Sequence, residues 1–306
     1  MPDRPARRAL ARDAGLVVAA VYEREVAASR ERVWENVRDW AHLPWLHAGA
    51  FASIERLAEG DWGWHARVGF QGGAEAEIEL IVDLEGSRYV TRTLEGAGAP
   101  GEIWTAIEPL GPRRTGIRVE FAVPPAAPDQ IEGVGHALVS LYRTLWDEDE
   151  DMMRRRAEAL DARESPQPPA TRVQTTPLGT WDDLRPRLPL VVEVAGHAYR
   201  LVESEGRLLV HSTVCPHRLG PLDECPVEAG IVTCPWHGFR FDAASGRSVD
   251  GRGLRLRAAP RVETDPSSGT LRLVLDEAQG RSPEDGQGRD GEGRSGVSGW
   301  IDDSCC

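Results

Sequence analysis

Two short motifs in the second half of the chain constrain its fold more than any other feature. The first is Cys215-Pro-His217 and the second is Cys234-Pro-Trp-His237, with 16 residues between them. Each motif offers one thiolate and one imidazole in a segment short enough to form a hairpin-like loop. The pattern predicts two such loops on a small module, which together hold a metal group through two sulfur and two nitrogen ligands.

This arrangement resembles the Rieske domain, in which two cysteines ligate one iron of a [2Fe-2S] cluster and two histidines ligate the other. The run from His237 to Asp242, His-Gly-Phe-Arg-Phe-Asp, and the later Gly246 also resemble Rieske domains. A mononuclear zinc site is the alternative, although zinc fingers pair cysteine with cysteine and histidine with histidine. The resemblance implies a redox protein with four cluster ligands: Cys215, His217, Cys234 and His237.

Cysteine usage agrees with metal binding. The five cysteines lie at positions 215, 225, 234, 305 and 306, and an odd number with two neighbours at the C-terminus does not indicate a secreted disulfide framework. Respiratory Rieske proteins join their two loops by a disulfide, whereas Trp236 takes that place in the second loop here. We therefore expect Cys225 to be a small buried thiol.

The length of 306 residues suggests two domains. We predict a first domain at 16–163, a proline-rich linker at 164–170, a small all-β domain at 171–276 and a disordered, highly polar tail at 277–306. In the all-β domain the expected strands are 190–194, 199–202, 208–211, 231–234 and 271–275. The tail contains a Gly-x-Gly-x-x-Gly run at 291–296 that lacks the strand and helix of a dinucleotide site.

The first domain is predicted to be a sheet with helices near both ends of its sequence. A strand is expected at about 16–26, followed by a helix that Ser29 can cap and that must stop near Pro44. Strand-like runs separated by Gly and Pro turns then predict an antiparallel meander at 66–70, 78–84, 89–94, 103–107 and 117–123. A long helix should follow at about 129–162. Its apolar face is expected to consist of Leu138, Tyr142, Leu145 and Met152.

This order of elements resembles the helix-grip fold of the START and SRPBCC superfamily, in which the sheet wraps around the last helix to enclose a pocket. The whole chain is then an α+β protein, with a helix-grip domain followed by a small all-β Rieske domain. Trp62, Trp64 and Trp104 could line such a pocket, but core positions are the simpler expectation. His65 and His136 are expected to be ordinary surface residues.

A second metal site is suggested where the first helix ends. Asp39, His42 and His47 have the spacing found in Rieske non-haem iron oxygenases, whose catalytic domain is itself a helix-grip fold. The resemblance implies that both histidines bind mononuclear iron(II), that an acid on the final helix completes the site, and that Asp39 hydrogen-bonds a histidine ligand and relays an electron from a neighbouring subunit. Asp149 continues the apolar face of the final helix and is the expected acid, with Asp151 as the alternative.

Two functions remain open at this stage. The first is an oxygenase that passes electrons from the cluster to the mononuclear iron, which activates dioxygen on a small organic substrate. The second is a ligand-binding domain fused to a Rieske electron-transfer or redox-sensing module without catalytic iron. Three departures from the oxygenases bear on this choice: the domain order is reversed, the helix-grip part is short, and the sequence before Asp39 aligns only approximately.

Charge narrows the choice of partners. There are 49 acidic and 36 basic residues, and the net charge of -13 disfavours nucleic acid and anionic membranes as partners. No stretch of about 18 apolar residues occurs, and the Arg-rich start is interrupted by Asp13, so we expect a cytoplasmic protein. A separate reductase or ferredoxin should donate electrons, and a homo-oligomer is expected from the oxygenase resemblance.

Overall fold

The computed structural model of the chain describes residues 10–164 and 174–275. Its contacts divide the chain into two compact units, 1–158 and 159–306. The division falls in the last turns of a long helix, a few residues before the predicted end of the first domain. The predicted linker, apart from residue 164, and the predicted tail lie outside the described residues, as do Cys305 and Cys306.

The first unit is built on one antiparallel sheet with the strand order β1-β7-β6-β5-β4-β3-β2. The strands are β1 (Val17–Val26), β2 (Phe51–Gly60), β3 (Gly63–Phe70), β4 (Glu75–Asp83), β5 (Arg88–Gly96), β6 (Gly101–Gly111) and β7 (Arg114–Val123). The predicted meander is confirmed, and its five named runs correspond to β3 through β7. No comparable pattern marks β2 in the sequence, because this strand lies at the edge of the sheet and most of its side chains are exposed.

The connection between β1 and β2 contains three short helical pieces. Helix α1 (Arg30–Arg38) begins as predicted, with the Ser29 hydroxyl accepting a hydrogen bond from a backbone N–H of the first turn. The expectation that this helix continues to about Pro44 is wrong, since a 3-10 turn (Trp40–His42) and helix α2 (Leu43–Leu46) follow it. Pro44 lies in the first turn of α2, where a residue without an N–H loses no helical hydrogen bond.

Helix α3 (Pro128–Glu164) packs against the sheet and closes the core of the first unit. The ring of Tyr142 meets that of Phe121 on β7 edge-on, with centroids 4.8 Å apart. Trp146 and Met153, which the predicted apolar face omitted, are among the buried residues of this core. Like the other described helices, α3 lacks an apolar stretch long enough to cross a membrane.

The regular secondary structure in the described part of the second unit is mostly short antiparallel strands, which confirms the predicted all-β module. Three small sheets have the orders β11-β10-β9, β12-β13-β14 and β15-β16-β8. The strands are β8 (Gln174–Gly179), β9 (Leu190–Val194), β10 (His197–Ser204), β11 (Arg207–Ser212), β12 (Val227–Glu228), β13 (Ile231–Thr233), β14 (Arg240–Asp242), β15 (Arg261–Thr264) and β16 (Leu271–Leu275). A one-turn helix, α4 (Trp181–Leu184), and a 3-10 turn (Arg185–Arg187) precede β9. Buried Tyr199, Leu201 and Leu273 belong to a core separate from that of the first unit.

Candidate metal centres

The two Cys-His motifs lie in loops that share one backbone arrangement. The Cys215 N–H donates to the Gly220 carbonyl at 2.8 Å, and the Cys234 N–H donates to the Phe239 carbonyl at 2.8 Å. In each loop the fourth residue after the cysteine donates back to the cysteine carbonyl and has a positive φ. The predicted pair of hairpin-like loops is therefore confirmed, and β13 and β14 flank the second of them.

The four side chains of these motifs converge. The sulfurs of Cys215 and Cys234 are in hydrogen-bonding contact, and the rings of His217 and His237 lie 4.7 Å apart at an interplanar angle of 88°. Both cysteines are essentially inaccessible, at 0% and 1% exposure, and His237 is buried as well. His217 is only half-buried, so the imidazole side of the site includes its most accessible ligand.

The electrostatics of the two sulfurs suit a cationic group. The hydrogen bond from Cys215, helped by the backbone N–H groups of Trp236 and His237, outweighs burial and lowers the pKa of Cys234 to about 7. The same hydrogen bond, together with burial, raises the pKa of Cys215. The shared hydrogen bond thus favours ionisation of Cys234 and opposes ionisation of Cys215, and loss of both protons requires a compensating positive charge such as iron.

Gly220 provides the space beside the sulfur of Cys234. A Cβ added at Gly220 would lie 2.7 Å from Cys234 Sγ and 3.2 Å from ring atoms of Trp236, which is closer than van der Waals contact allows. The backbone of the first loop thus packs directly on a ligand of the second. Two sulfurs and two imidazoles at this separation fit a [2Fe-2S] cluster with Cys215, His217, Cys234 and His237 as ligands.

Two residues beyond the ligands shape the environment of His217. The Phe239 ring stacks on the His217 ring with centroids 4.1 Å apart and planes at 21°, and the Arg252 guanidinium lies 4.0 Å from the centroid of Phe239. The Arg252 contact could not be read from the sequence, because it depends on the turn after β14. The stack restricts rotation of the imidazole and brings a positive charge near the histidine side.

Cys225 is not a cluster ligand in this geometry. It is half-buried rather than fully buried as expected, and its thiol contacts the Pro221 carbonyl at 3.4 Å. Burial raises its pKa to about 11, so the thiol is largely protonated at neutral pH. The three cysteines within the described residues are all free thiols.

A second cluster of ligand-type side chains lies in the first unit. His42 comes from the 3-10 turn, His47 follows α2 and Asp149 lies on α3. Asp149 Oδ1 is 3.1 Å from His47 Nε2 and 3.5 Å from His42 Nε2, and one ligand atom from each residue lies within 4.8 Å of the others. Their exposures are only 4%, 2% and 8% for His42, His47 and Asp149, respectively.

Charge holds these three groups together. Burial opposes ionisation of Asp149, but the hydrogen bond and charge of His47, followed by the charge of His42, outweigh it and lower the pKa of Asp149. Burial likewise opposes protonation of His47, but the carboxylates of Asp149 and Glu148 outweigh it and raise the pKa of His47. A divalent cation would take the place of this proton, because histidine ligates metals in its neutral form.

The other acids near the end of α3 have different roles. Asp151, the alternative third ligand, is exposed and pairs with Arg154 and Arg155. Asp147 and Glu150 both bind the guanidinium of Arg24 on β1. The geometry therefore brings Asp149, and not Asp151, to the two histidines.

The remaining predicted residue, Asp39, is buried at the end of α1. Its carboxylate lies 4.0 Å from His42 Nδ1, beside the ligand-type histidine but beyond ordinary hydrogen-bonding distance.

Two further polar residues at this site were missed by sequence reasoning. Asn36 Nδ2 donates to Asp149 Oδ1 at 2.9 Å, and Glu148 Oε2 lies 2.7 Å from His47 Nδ1. Asn36 had a readable signal, because its helical spacing places it on the buried face of α1.

Other residues considered from the sequence lie elsewhere. His136 is exposed, whereas His65 is half-buried and pairs with Glu77 at 2.9 Å. Trp64 is a core residue, as expected, and Trp104 is buried with its indole N–H donating to Glu102 at 2.8 Å. Trp62 is half-buried.

Comparison with known proteins supports the assignment of the second unit. The family profile of the Rieske [2Fe-2S] domain matches residues 174–259. Comparison with curated proteins found no significant match.

Among solved structures, similar chains include three proteins that align with a little under half of this one. They are a START superfamily protein from Mycobacterium smegmatis (24% identity, 44% of this chain and 97% of that one, TM-score 0.38), the Zhui aromatase/cyclase from Streptomyces sp. R1128 (18%, 46% and 96%, 0.41) and norcoclaurine synthase from Thalictrum flavum with dopamine and hydroxybenzaldehyde (22%, 45% and 87%, 0.37).

The architecture and the profile match point to the same description. The sheet order of the first unit, with a long helix packed on it at its C-terminal end, is the predicted helix-grip arrangement. The two ligand loops of the second unit lie inside the matched residues. The chain thus contains a Rieske [2Fe-2S] domain at 174–259, preceded by a domain with the START/SRPBCC-like helix-grip fold.

Proposed function

We propose that the protein is a Rieske-type oxygenase in which the cluster supplies electrons to a mononuclear non-haem iron bound by His42, His47 and Asp149. The observation that carries this proposal is the convergence of two imidazoles and one carboxylate in a buried site of the helix-grip domain. When bound to such a set, iron(II) keeps positions open for dioxygen, because the three protein ligands occupy one side of the metal.

The surroundings of His47 support a small organic substrate with apolar character. The ring of Phe51 lies 6.3 Å from the ring of His47, and Phe70 lies 5.5 Å from Phe51. Apolar rings beside a buried site exclude water and disfavour a charged ligand that would lose its hydration.

Several parts of the proposal concern partners. The electron donor would be a separate reductase or ferredoxin, and the protein would work in the cytoplasm. Asp39, buried beside His42, would relay the electron toward the mononuclear site, in line with the oxygenase resemblance. A homo-oligomer would allow this transfer to occur between neighbouring subunits.

Metal analysis of protein purified without air tests the oxygenase proposal. We expect about three irons and about two inorganic sulfides per chain, because a Rieske cluster contains two irons and the mononuclear site adds one. His42→Ala should reduce the iron count to about two with the sulfide unchanged. His136→Ala, which changes an exposed histidine on α3, is the matched control and should retain the third iron.

The competing function is a ligand-binding domain fused to a Rieske electron carrier without catalytic iron. One observation favours it: the contact of 3.1 Å between His47 Nε2 and Asp149 Oδ1 can hold these side chains together as a hydrogen bond without a metal. Two irons per chain in the wild-type protein, with an intact cluster and no third metal after reconstitution with iron(II), would rule out the oxygenase.

A further inference from the structure

The contact between Glu148 and His47 supplies a positioning residue beyond the ligands predicted from sequence. Glu148 Oε2 lies 2.7 Å from Nδ1 of His47, while Nε2 of the same ring faces Asp149 Oδ1 at 3.1 Å. Both nitrogens of one imidazole are thus engaged by carboxylates from adjacent positions of α3. We propose that Glu148 holds His47 in the tautomer and orientation required for metal binding through Nε2.

The tautomer follows from the hydrogen-bond inventory of the two groups. An ionised carboxylate only accepts hydrogen bonds, so the proton on His47 must be on Nδ1 when it faces Glu148. In the neutral ring that ligates a metal, the lone pair is then on Nε2, and the metal takes the place of the Nε2 proton that otherwise faces Asp149. The carboxylate also increases the electron density of the ring, which makes Nε2 a better donor to a metal.

Burial makes this contact effective. His47 is 2% exposed, and the side chain of Glu148 is 36% exposed, so the bond lies where the site meets the surface. A buried ring nitrogen left without a partner is costly, which gives Glu148 control over the ring orientation. Helix α3 therefore provides the carboxylate ligand from Asp149 and, one residue earlier, the carboxylate that orients a second ligand.

This inference rests on the proposed mononuclear site, and its test separates the two. Cobalt(II) can serve as a spectroscopic probe for the full chain with its Rieske cluster assembled. We expect Glu148→Ala to weaken cobalt binding by about 10- to 100-fold, the usual effect of losing the partner of a histidine ligand. Glu148→Gln should have a smaller effect, because its amide oxygen can still accept from Nδ1 while the negative charge is lost.

Asp151→Asn is the matched control, since it neutralises an exposed carboxylate on the same helix that pairs only with arginines in the described residues. Its affinity for cobalt should equal that of the wild type. Circular dichroism and the visible absorption of the cluster check that each variant is folded.

Each outcome has one meaning. If the wild-type chain binds no cobalt, or binds only cobalt that His42→Ala also binds, the mononuclear site itself is disproved. If the wild type binds cobalt and folded Glu148→Ala binds it equally well, Glu148 has no positioning role while the oxygenase proposal stands.

Discussion

Gly220 has only a hydrogen atom where other residues have a side chain, and this difference can determine whether a metal group fits beside it. Its Cα lies so close to Cys234 that an added Cβ would be 2.7 Å from the sulfur, and the sulfur cannot move away once it ligates iron. We expect Gly220→Ala to lose most of the cluster, with an overpacking cost of about 1–3 kcal/mol concentrated at one ligand. The visible absorption and the iron and sulfide content per chain measure this loss.

A second glycine of the same domain provides the control for this prediction. Gly230 lies in the turn between β12 and β13 with a φ of 80°, and no atom lies within 4 Å of an added Cβ. Gly230→Ala should cost about 1 kcal/mol of stability through backbone strain yet keep a full complement of cluster. Equal cluster content in both alanine variants would mean that the contact at Gly220 is unimportant.

At this scale the sequence indicated the candidate ligands but not the residues that contact them. Cys215 and His217, like Cys234 and His237, are close in sequence, so their spacing alone carried the information. Gly220 and Glu148 contact residues 14 and about 100 positions away, respectively, which one sequence cannot show. Asp149 could be predicted from the sequence because helical periodicity places it on the buried face of α3.

At the scale of elements, α3 matters most because it brings Asp149 to the histidines. Its approach to β1 depends on Gly135, where an added Cβ would lie 2.6 Å from the Ala19 carbonyl oxygen. Near the other end of the helix, Arg24 on β1 binds Asp147 and Glu150. The meander strands β3 to β7 and the long helix were predictable from strand-like runs between turns and from helical spacing. The end of α1 was not, because Pro44 marks the start of α2 and tertiary contacts decide where the earlier helix stops.

Alanine substitutions at two glycines of α3 are expected to change the stability of the protein in opposite directions. Gly133 is exposed with nothing within 4 Å of an added Cβ, so Gly133→Ala should stabilise the protein by about 0.5–1 kcal/mol through helix propensity. Gly135→Ala gains the same propensity but pushes the helix from β1, and we expect a net loss of about 1–2 kcal/mol. Urea unfolding of both variants measures the two changes. A stabilised Gly135→Ala protein would show that the helix can shift without cost.

At the scale of the whole molecule, the two candidate ligand sets belong to units with separate cores. Residues such as Val119, Phe121 and Trp146 form the first core, and Tyr199, Leu201 and Leu273 belong to the second. The Rieske ligands all come from the second unit and the 2-His-1-carboxylate set from the first. A function that uses both sites therefore requires electrons to pass between them, whereas each site folds with its own core.

This separation predicts that either site can be removed without the other. Cys234→Ser replaces a cluster ligand and should abolish the visible absorption, because one iron loses its thiolate. Its cobalt affinity at His42, His47 and Asp149 should nevertheless stay within about twofold of wild type, since the two sets of residues belong to units that each have their own core. His42→Ala should show the reverse, with a normal cluster and no cobalt binding. Loss of cobalt binding in a Cys234→Ser chain whose first unit remains folded would instead mean that the cluster stabilises the mononuclear site, and the two units would then have to be treated as one thermodynamic system.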